Sequence, residues 1–229
     1  MIKYLNKTVF NSNCEALVNT VNCLGVMGAG LALEFALRYP EIEKQYIVDC
    51  EEKKVKTGEI IIYKTKDILV INFPTKYHWK YPSKIEWIES GLEYMKLHYK
   101  EWGVKSIAIP PLGCNNGGLN FDKQVRPLIE KILCNIELDV YICLDPGYAE
   151  GKEKEMVDAF NKCDKEFLCE ELKIKGKARL TIIDTKIINR FYIIKELEGV
   201  GITSYKKIFD YFYNNKKYNS SKQLSLFDI

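Results

Sequence analysis

"ALVNTVNCLGVMGAGLALEF", residues 16–35, decides the fold. It opens on an apolar run, resumes at Val21 after Asn19 and Thr20, and closes on Leu31, Leu33 and Phe35. Between these parts lie Gly25, Gly28 and Gly30. A buried strand, a glycine-rich loop and a helix in that order form the repeating unit of an α/β protein. Ligands of such sheets bind beyond the carboxyl ends of the strands. Glycine lets backbone approach a ligand closely, and the amides at a helix N-terminus bind phosphate oxygens.

Outward from this stretch the same alternation continues. "EIIIYK" (59–64) and "DILVINF" (67–73) read as strands joined by a tight polar turn at residues 65–67, and "KSIAIPPLG" (105–113) and "DVYICLDP" (139–146) as two more. "GLALEFALRYP" reads as a helix opened by glycines and closed before Pro40. Ile85, Ile88, Leu92 and Met95 recur at helical spacing and Gly103 stops that helix. "DKQVRPLIEKILCN" reads as a helix begun or kinked near Pro127. Unbroken apolar strands alternating with helices imply a largely parallel sheet covered on both faces. The expected fold class is α/β over residues 1–165.

A second loop, "PPLGCNNGGLN" (110–120), repeats the arrangement with Gly113, Gly117 and Gly118. Neither loop carries the GK[ST] of a Walker motif or a clean GxGxxG, so two walls of one diphosphate cleft is the reading they share. Asn19 and Asn22 end the first strand, where they either hydrogen-bond a ribose or cap the turn. "INFPTKYHWK" (71–80) sets Lys76 just past a strand end, either as a solvated loop lysine or as a catalytic amine. His78, Trp79 and Lys80 follow. An aromatic ring there either stacks on a nucleobase or anchors the core.

Composition narrows the class. At 229 residues, 47% hydrophobic and 28% charged, the chain is an ordinary globular one, and a net charge of +3 does not by itself point to nucleic acid. No apolar run reaches the length that spans a bilayer, and the N-terminal stretch lacks a signal-peptide core. Eight cysteines without CxxC spacing and two histidines speak against a metal site and for a reducing cytoplasm. No metal and no membrane partner are expected.

Together, residues 16–35, "INFPTKYHWK" with "SKIEWIESGL", and "SIAIPPLGCNNGG" resemble the macrodomain, an ADP-ribose-binding α/β/α module, in the branch of the DarG antitoxins and glutamate-ADP-ribose hydrolases. The resemblance spans about residues 1–150. It implies a three-layer fold with a mixed, largely parallel sheet and ADP-ribose as ligand and product without a further cofactor. It places Asn22 on the distal ribose, and Gly25, Val26, Met27, Gly28, Gly30 and Leu31 around the diphosphate and that ribose. Pro111, Leu112, Gly113, Cys114, Asn115, Asn116, Gly117 and Gly118 fall on the second phosphate loop, and Lys76 on the catalytic lysine. It implies a hydrolase that strips ADP-ribose from DNA, thymidine favoured, against a DarT-type toxin. The alternatives are a non-cleaving reader and a hydrolase of protein-linked or small-molecule ADP-ribose derivatives.

The chain departs from the family at two places. Lys7-Thr8 stands where Gly-Asp or Gly-Asn reads the adenine, leaving that contact to the Thr8 hydroxyl or to backbone near Val9. Asn120 stands where an acid is common. From Gly176 to 215 the rhythm is helical with a Gly-Val-Gly break at 199–201, faintly like a helix-hairpin-helix that contacts DNA or a partner. Residues 216–229 read as a flexible tail. Its "QLSLF", with Gln223, Leu224, Leu226 and Phe227, resembles the peptide by which replication proteins dock on the bacterial sliding clamp.

Overall fold

A computed structural model describes residues 1–214; the tail from 216 and the peptide at 223–227 lie outside the described residues. The chain divides into two compact units, Met1–Pro146 and one beginning at Gly147.

The first unit is a six-stranded sheet in the order β1-β6-β5-β2-β4-β3. Its strands are β1 (Ile2–Leu5), β2 (Ala16–Val21), β3 (Ile61–Lys64), β4 (Leu69–Pro74), β5 (Ser106–Ile109) and β6 (Asp139–Cys143). All pairings are parallel except β3 with β4 at one edge. The helices are α1 (Gly30–Arg38), α2 (Pro40–Glu51), α3 (Ile85–His98) and α4 (Arg126–Leu133), the last preceded by a wide turn of helix, Phe121–Val125. Helix α4 thus begins beside Pro127, where a missing N–H costs nothing.

Each face of the sheet has its own core. Ala16, Val18, Ile107 and Ile109 pack with Ile88, Leu92 and Met95 of α3 and with Ile129, Ile132 and Leu133 of α4. On the other face Leu17, Val70 and Ala108 pack with Phe35 and Ile42 from α1 and α2. Neighbouring strands β2 and β5 therefore send their following helices to opposite faces. The crevice where such helices part is the ligand site of an open α/β sheet.

Two elements depart from the sequence reading. Pro40 closes α1 but also opens α2 as its first residue, since proline fits the first turn of a helix. Strand β1 has no signature in the sequence, because it is four residues long and half-exposed at the sheet edge, too short to show a period.

The second unit holds α5 (Gly151–Lys162), α6 (Lys165–Glu171), α7 (Gly176–Asp184), α8 (Ile193–Glu196) and α9 (Ile202–Asn214). The first unit ends at Pro146 rather than at 165, because α5 packs with the later helices. Phe160 of α5 meets Phe191 and Phe212 edge-on at centroid distances of 6.3 and 5.9 Å. The buried Glu153 carboxylate accepts from Arg190 Nε at 2.9 Å and from the Phe191 amide at 3.0 Å. Asp164 caps α6 by accepting from the amides of Glu166 and Phe167. The Gly-Val-Gly break joins α8 to α9, with Gly199 at φ +83°. No described helix is long and apolar enough to cross a membrane.

Candidate active site

A cleft of about 600 Å³ opens at the carboxyl ends of β2, β4 and β5. Its walls are the loop from β2 to α1, the turn after β4 and the loop from β5 to α4. Position at strand ends, rather than any motif, brings the three together.

The first loop is shaped by Asn22. Its side-chain Oδ1 accepts from the amide of Leu24 at 2.9 Å and its Nδ2 donates to the Val26 carbonyl at 2.6 Å. From below, the buried Tyr46 hydroxyl donates to the Asn22 carbonyl at 2.6 Å. Asn22 thus caps the turn while also lining the cleft. Gly25 passes over Ile47 and Cys50 of α2 at φ +74°, a backbone angle that L side chains rarely adopt, so conformation rather than space favours glycine there.

The second loop is held by main chain. The amide of Gly118 donates to the Cys114 carbonyl at 2.9 Å, Leu119 to Gly113 at 3.0 Å, and Ser83 to Gly117 at 2.9 Å. A Cβ on Gly117 would overlap the Gly113 carbonyl and the Ser83 hydroxyl, so only glycine fits.

Lys76 stands between these loops. Its Nζ donates to the Asn116 carbonyl at 2.5 Å and to the Trp79 carbonyl at 3.0 Å. Burial pushes its pKa below the ordinary lysine value, by taking the charged form away from water. The cause is burial, not the charge of Lys80 or His78. The lining residues include Lys80 as a second cation and no carboxylate, an environment suited to an anion. Burial raises the Cys114 thiol to about 11, so it stays neutral and unreactive near pH 7.

Of the residues singled out from sequence, Lys76, Trp79, Lys80, Asn22, Val26, Gly28, Gly30, Leu31, Pro111, Gly113, Cys114, Asn115, Asn116 and Gly117 line this cleft. The others do not. Asn19 is fully buried and donates from Nδ2 to Asn72 Oδ1 at 2.9 Å inside the sheet. Met27 is buried beneath its loop, and Leu112 belongs to the core. Val9 packs with Leu17 and Phe35, and the Thr8 hydroxyl accepts from Asn11 at 3.0 Å. Gly25 and Gly118 serve their turns from outside the wall. His78 lies behind Trp79, rings stacked at 5.5 Å, and its Nδ1 accepts from the Lys80 amide at 3.1 Å. Trp79 is 48% exposed, so it is no core anchor. Thr20, Val21, Ala29, Thr75 and Pro110 also line the cleft and escaped notice. Four of them sit at strand ends, and that position alone was the signal.

The Macro domain family matches residues 18–127. A DNA ADP-ribosyl glycohydrolase of Mycobacterium tuberculosis is 41% identical over 157 residues, covering 67% of this chain and 45% of that protein. The chain therefore spans less than half the length of this curated relative. Among solved structures, the macrodomain of Thermus aquaticus DarG is 38% identical with a TM-score of 0.59, covering 63% of this chain and 98% of that one. Thermosipho africanus DarTG in complex with ADP-ribose is 33% identical with a TM-score of 0.61, covering 66% of this chain and 43% of that one. With the Thermus aquaticus macrodomain, 38% identical, covered over 98% of its length, and with a cleft at the strand ends, the chain belongs to the macrodomain family.

Proposed function

We propose that this chain is a hydrolase that removes ADP-ribose from ADP-ribosylated DNA bases, thymidine before others. The observation that carries the reading is a half-buried lysine amine set between two glycine-rich loops, in a cleft whose described walls hold no carboxylate. The loop amides and the N-terminus of α1 would take the diphosphate, and the amine would face C1″ of the distal ribose. The relatives named as DNA ADP-ribosyl glycohydrolases, and one named as a fusion with a DNA ADP-ribosyl transferase, support DNA as the substrate and a DarT-type toxin as the counterpart.

The chemistry follows from a lysine without an acid partner. As a neutral amine, Lys76 forms a bond to C1″ while the bond from C1″ to the base nitrogen breaks. The electron pair leaves on that nitrogen, which takes up a proton. Opening of the sugar gives a Schiff base that water hydrolyses to ADP-ribose and free amine. As an ammonium, Lys76 would instead hydrogen-bond the departing base. Trp79, exposed beside it with Lys80 5.0 Å over its ring, is suited to stack on a base while the lysine meets phosphate.

A reader that binds ADP-ribose without cleaving it is favoured by one observation. Asn120 caps the turn before α4, accepting from the Lys123 amide at 2.8 Å, and supplies no acid to the cleft. In the wider proposal the protein works in the cytoplasm as antitoxin or repair factor, residues 176–215 contact DNA or a partner, and "QLSLF" docks on the sliding clamp. The test incubates wild type and Lys76→Ala with thymidine-ADP-ribosylated single-stranded DNA and follows free ADP-ribose. Release by wild type alone is expected. Release by both removes Lys76 from the chemistry. Binding of ADP-ribose without release by either favours the reader or a hydrolase of another ADP-ribose derivative.

A further inference from the structure

One residue of the second loop touches both other walls of the cleft. The Asn116 carbonyl accepts from Lys76 Nζ at 2.5 Å. Its side-chain Nδ2 lies 3.3 Å from where a Cβ on Gly30 would stand, so the amide is laid against the start of α1. Gly30 has φ +54° and no side chain, which is what lets the amide come so close. The carbonyl of an exposed turn residue is a soft anchor for an amine unless something fixes the turn. Main-chain bonds hold the rest of this loop, and the contact across the cleft adds a hold on its cleft-facing residue.

We propose that Asn116 is a positioning residue for Lys76: its main-chain carbonyl aims the amine, and its side-chain amide, braced on Gly30, keeps that carbonyl in place. The proposal rests on the reading that Lys76 acts at the distal ribose. The physical reason is geometric. A lysine side chain has four rotatable bonds and a large rotamer entropy to lose when it is fixed. Two acceptors, the carbonyls of Asn116 and Trp79, fix the nitrogen within the cleft and leave its remaining direction for the reacting carbon. Losing one acceptor leaves a looser amine that meets C1″ less often in the productive orientation.

The same contact bears on the amine's charge, against the burial that lowers its pKa. An acceptor carbonyl favours the ammonium, so losing it lowers the pKa further and raises the neutral fraction at a given pH. The other ionisable groups on the cleft wall, Lys80 and Cys114, are unchanged by substitution at Asn116, as is His78 behind Trp79. A mere ligand contact would leave the titration of Lys76 in the free protein as it is. A positioning role moves it.

The experiment uses the full chain with Asn116→Gly and Asn116→Ala, each checked for folding by circular dichroism, and Asn116→Gln as the variant that keeps a donor amide. Lys76 acylation by a small amine-directed reagent is followed by peptide mass spectrometry from pH 7 to 10 without ligand, and turnover is measured on the ADP-ribosylated DNA. Both truncations are expected to acylate Lys76 about tenfold faster at pH 8, with the midpoint moved to lower pH. Their kcat should fall about tenfold, with Asn116→Gln between them and wild type. Opposite movement of reactivity and turnover is the signature of positioning. Wild-type acylation in both truncations overturns the proposal, including the case where ADP-ribose binding weakens, which makes Asn116 a ligand contact only. If wild type turns over no ADP-ribosylated substrate, the proposed function falls, while the acylation profiles still decide whether Asn116 holds the amine.

Discussion

The loop after β2 is built around the side chain of Asn22, whereas the loop after β5 is built almost wholly from main chain. Asn22 spends both ends of its amide on residues 24 and 26 and has its own carbonyl braced by Tyr46. Residues 113–119 bond to one another and to Ser83 through backbone, around a glycine that admits no Cβ. Two walls of one cleft thus fail in different ways. The first loses its shape when the Asn22 side chain is taken away, the second when a side chain is added at Gly117.

The largest effect is expected from Gly117→Ala. The new methyl overlaps the Gly113 carbonyl and the Ser83 hydroxyl, neither of them the free end of a long side chain. A loss of about 3 kcal/mol or more in denaturant unfolding should accompany loss of ADP-ribose binding by calorimetry. If the variant is as stable as wild type, the second loop is more pliant than its packing implies. Asn22→Ala should come next, at about 1–3 kcal/mol, because it orphans the Leu24 amide and the Val26 carbonyl beside the cleft. A loss under that range, with unchanged ADP-ribose affinity, would mean water replaces the amide and the contrast between the loops is weaker than drawn.

Lys76 leans on the second loop through Asn116, and its pH dependence sharpens the comparison. A neutral amine acting as nucleophile makes turnover rise about tenfold per pH unit up to the pKa of Lys76 and then level off. Because burial lowers that pKa, the plateau should begin below 10.5. An ammonium role gives the reverse, a fall above the same point, and the pH–rate profile of ADP-ribose release separates the two. Tyr46→Phe is the mildest change. It removes one hydroxyl from the Asn22 carbonyl, and a thermal melt should show about 1 kcal/mol lost with the second loop untouched.

Much of this architecture was readable before any coordinates. Strands β2, β4 and β5 are covered on both faces, so their sequences are apolar runs that no helix period explains. Helix α3 declares itself because Ile88, Leu92 and Met95 face the core while its other side is wet. Helix α2 went unread: of its twelve residues only Ile42, Tyr46 and Asp49 are buried, and its opening proline looked like an ending. Lys76 and the glycine loops stood out because their residue types are odd for strand ends. Thr75 and Thr20 did not, since threonine is ordinary in strands and only the stacking of three strand ends in space gives it a place on the wall. The brace from Asn116 to Gly30 joins residues far apart in the chain and has no local trace at all.

The buried amides of Asn19 and Asn72 carry a consequence for how the sheet assembles. The two residues sit opposite each other in the β2–β4 register, sharing one hydrogen bond, while Asn19 Oδ1 and Asn72 Nδ2 find no partner among the described residues. As a source of stability this is poor. As an alignment key it works well. A slip of one residue puts the two amides on opposite faces of the sheet, and a slip of two strands both among Leu17, Val21, Val70 and their apolar neighbours with nothing to bond. Misaligned pairings of these two central strands are thereby penalised more than the native one. The two asparagines define where β2 stops against β4, and so where the floor of the cleft begins.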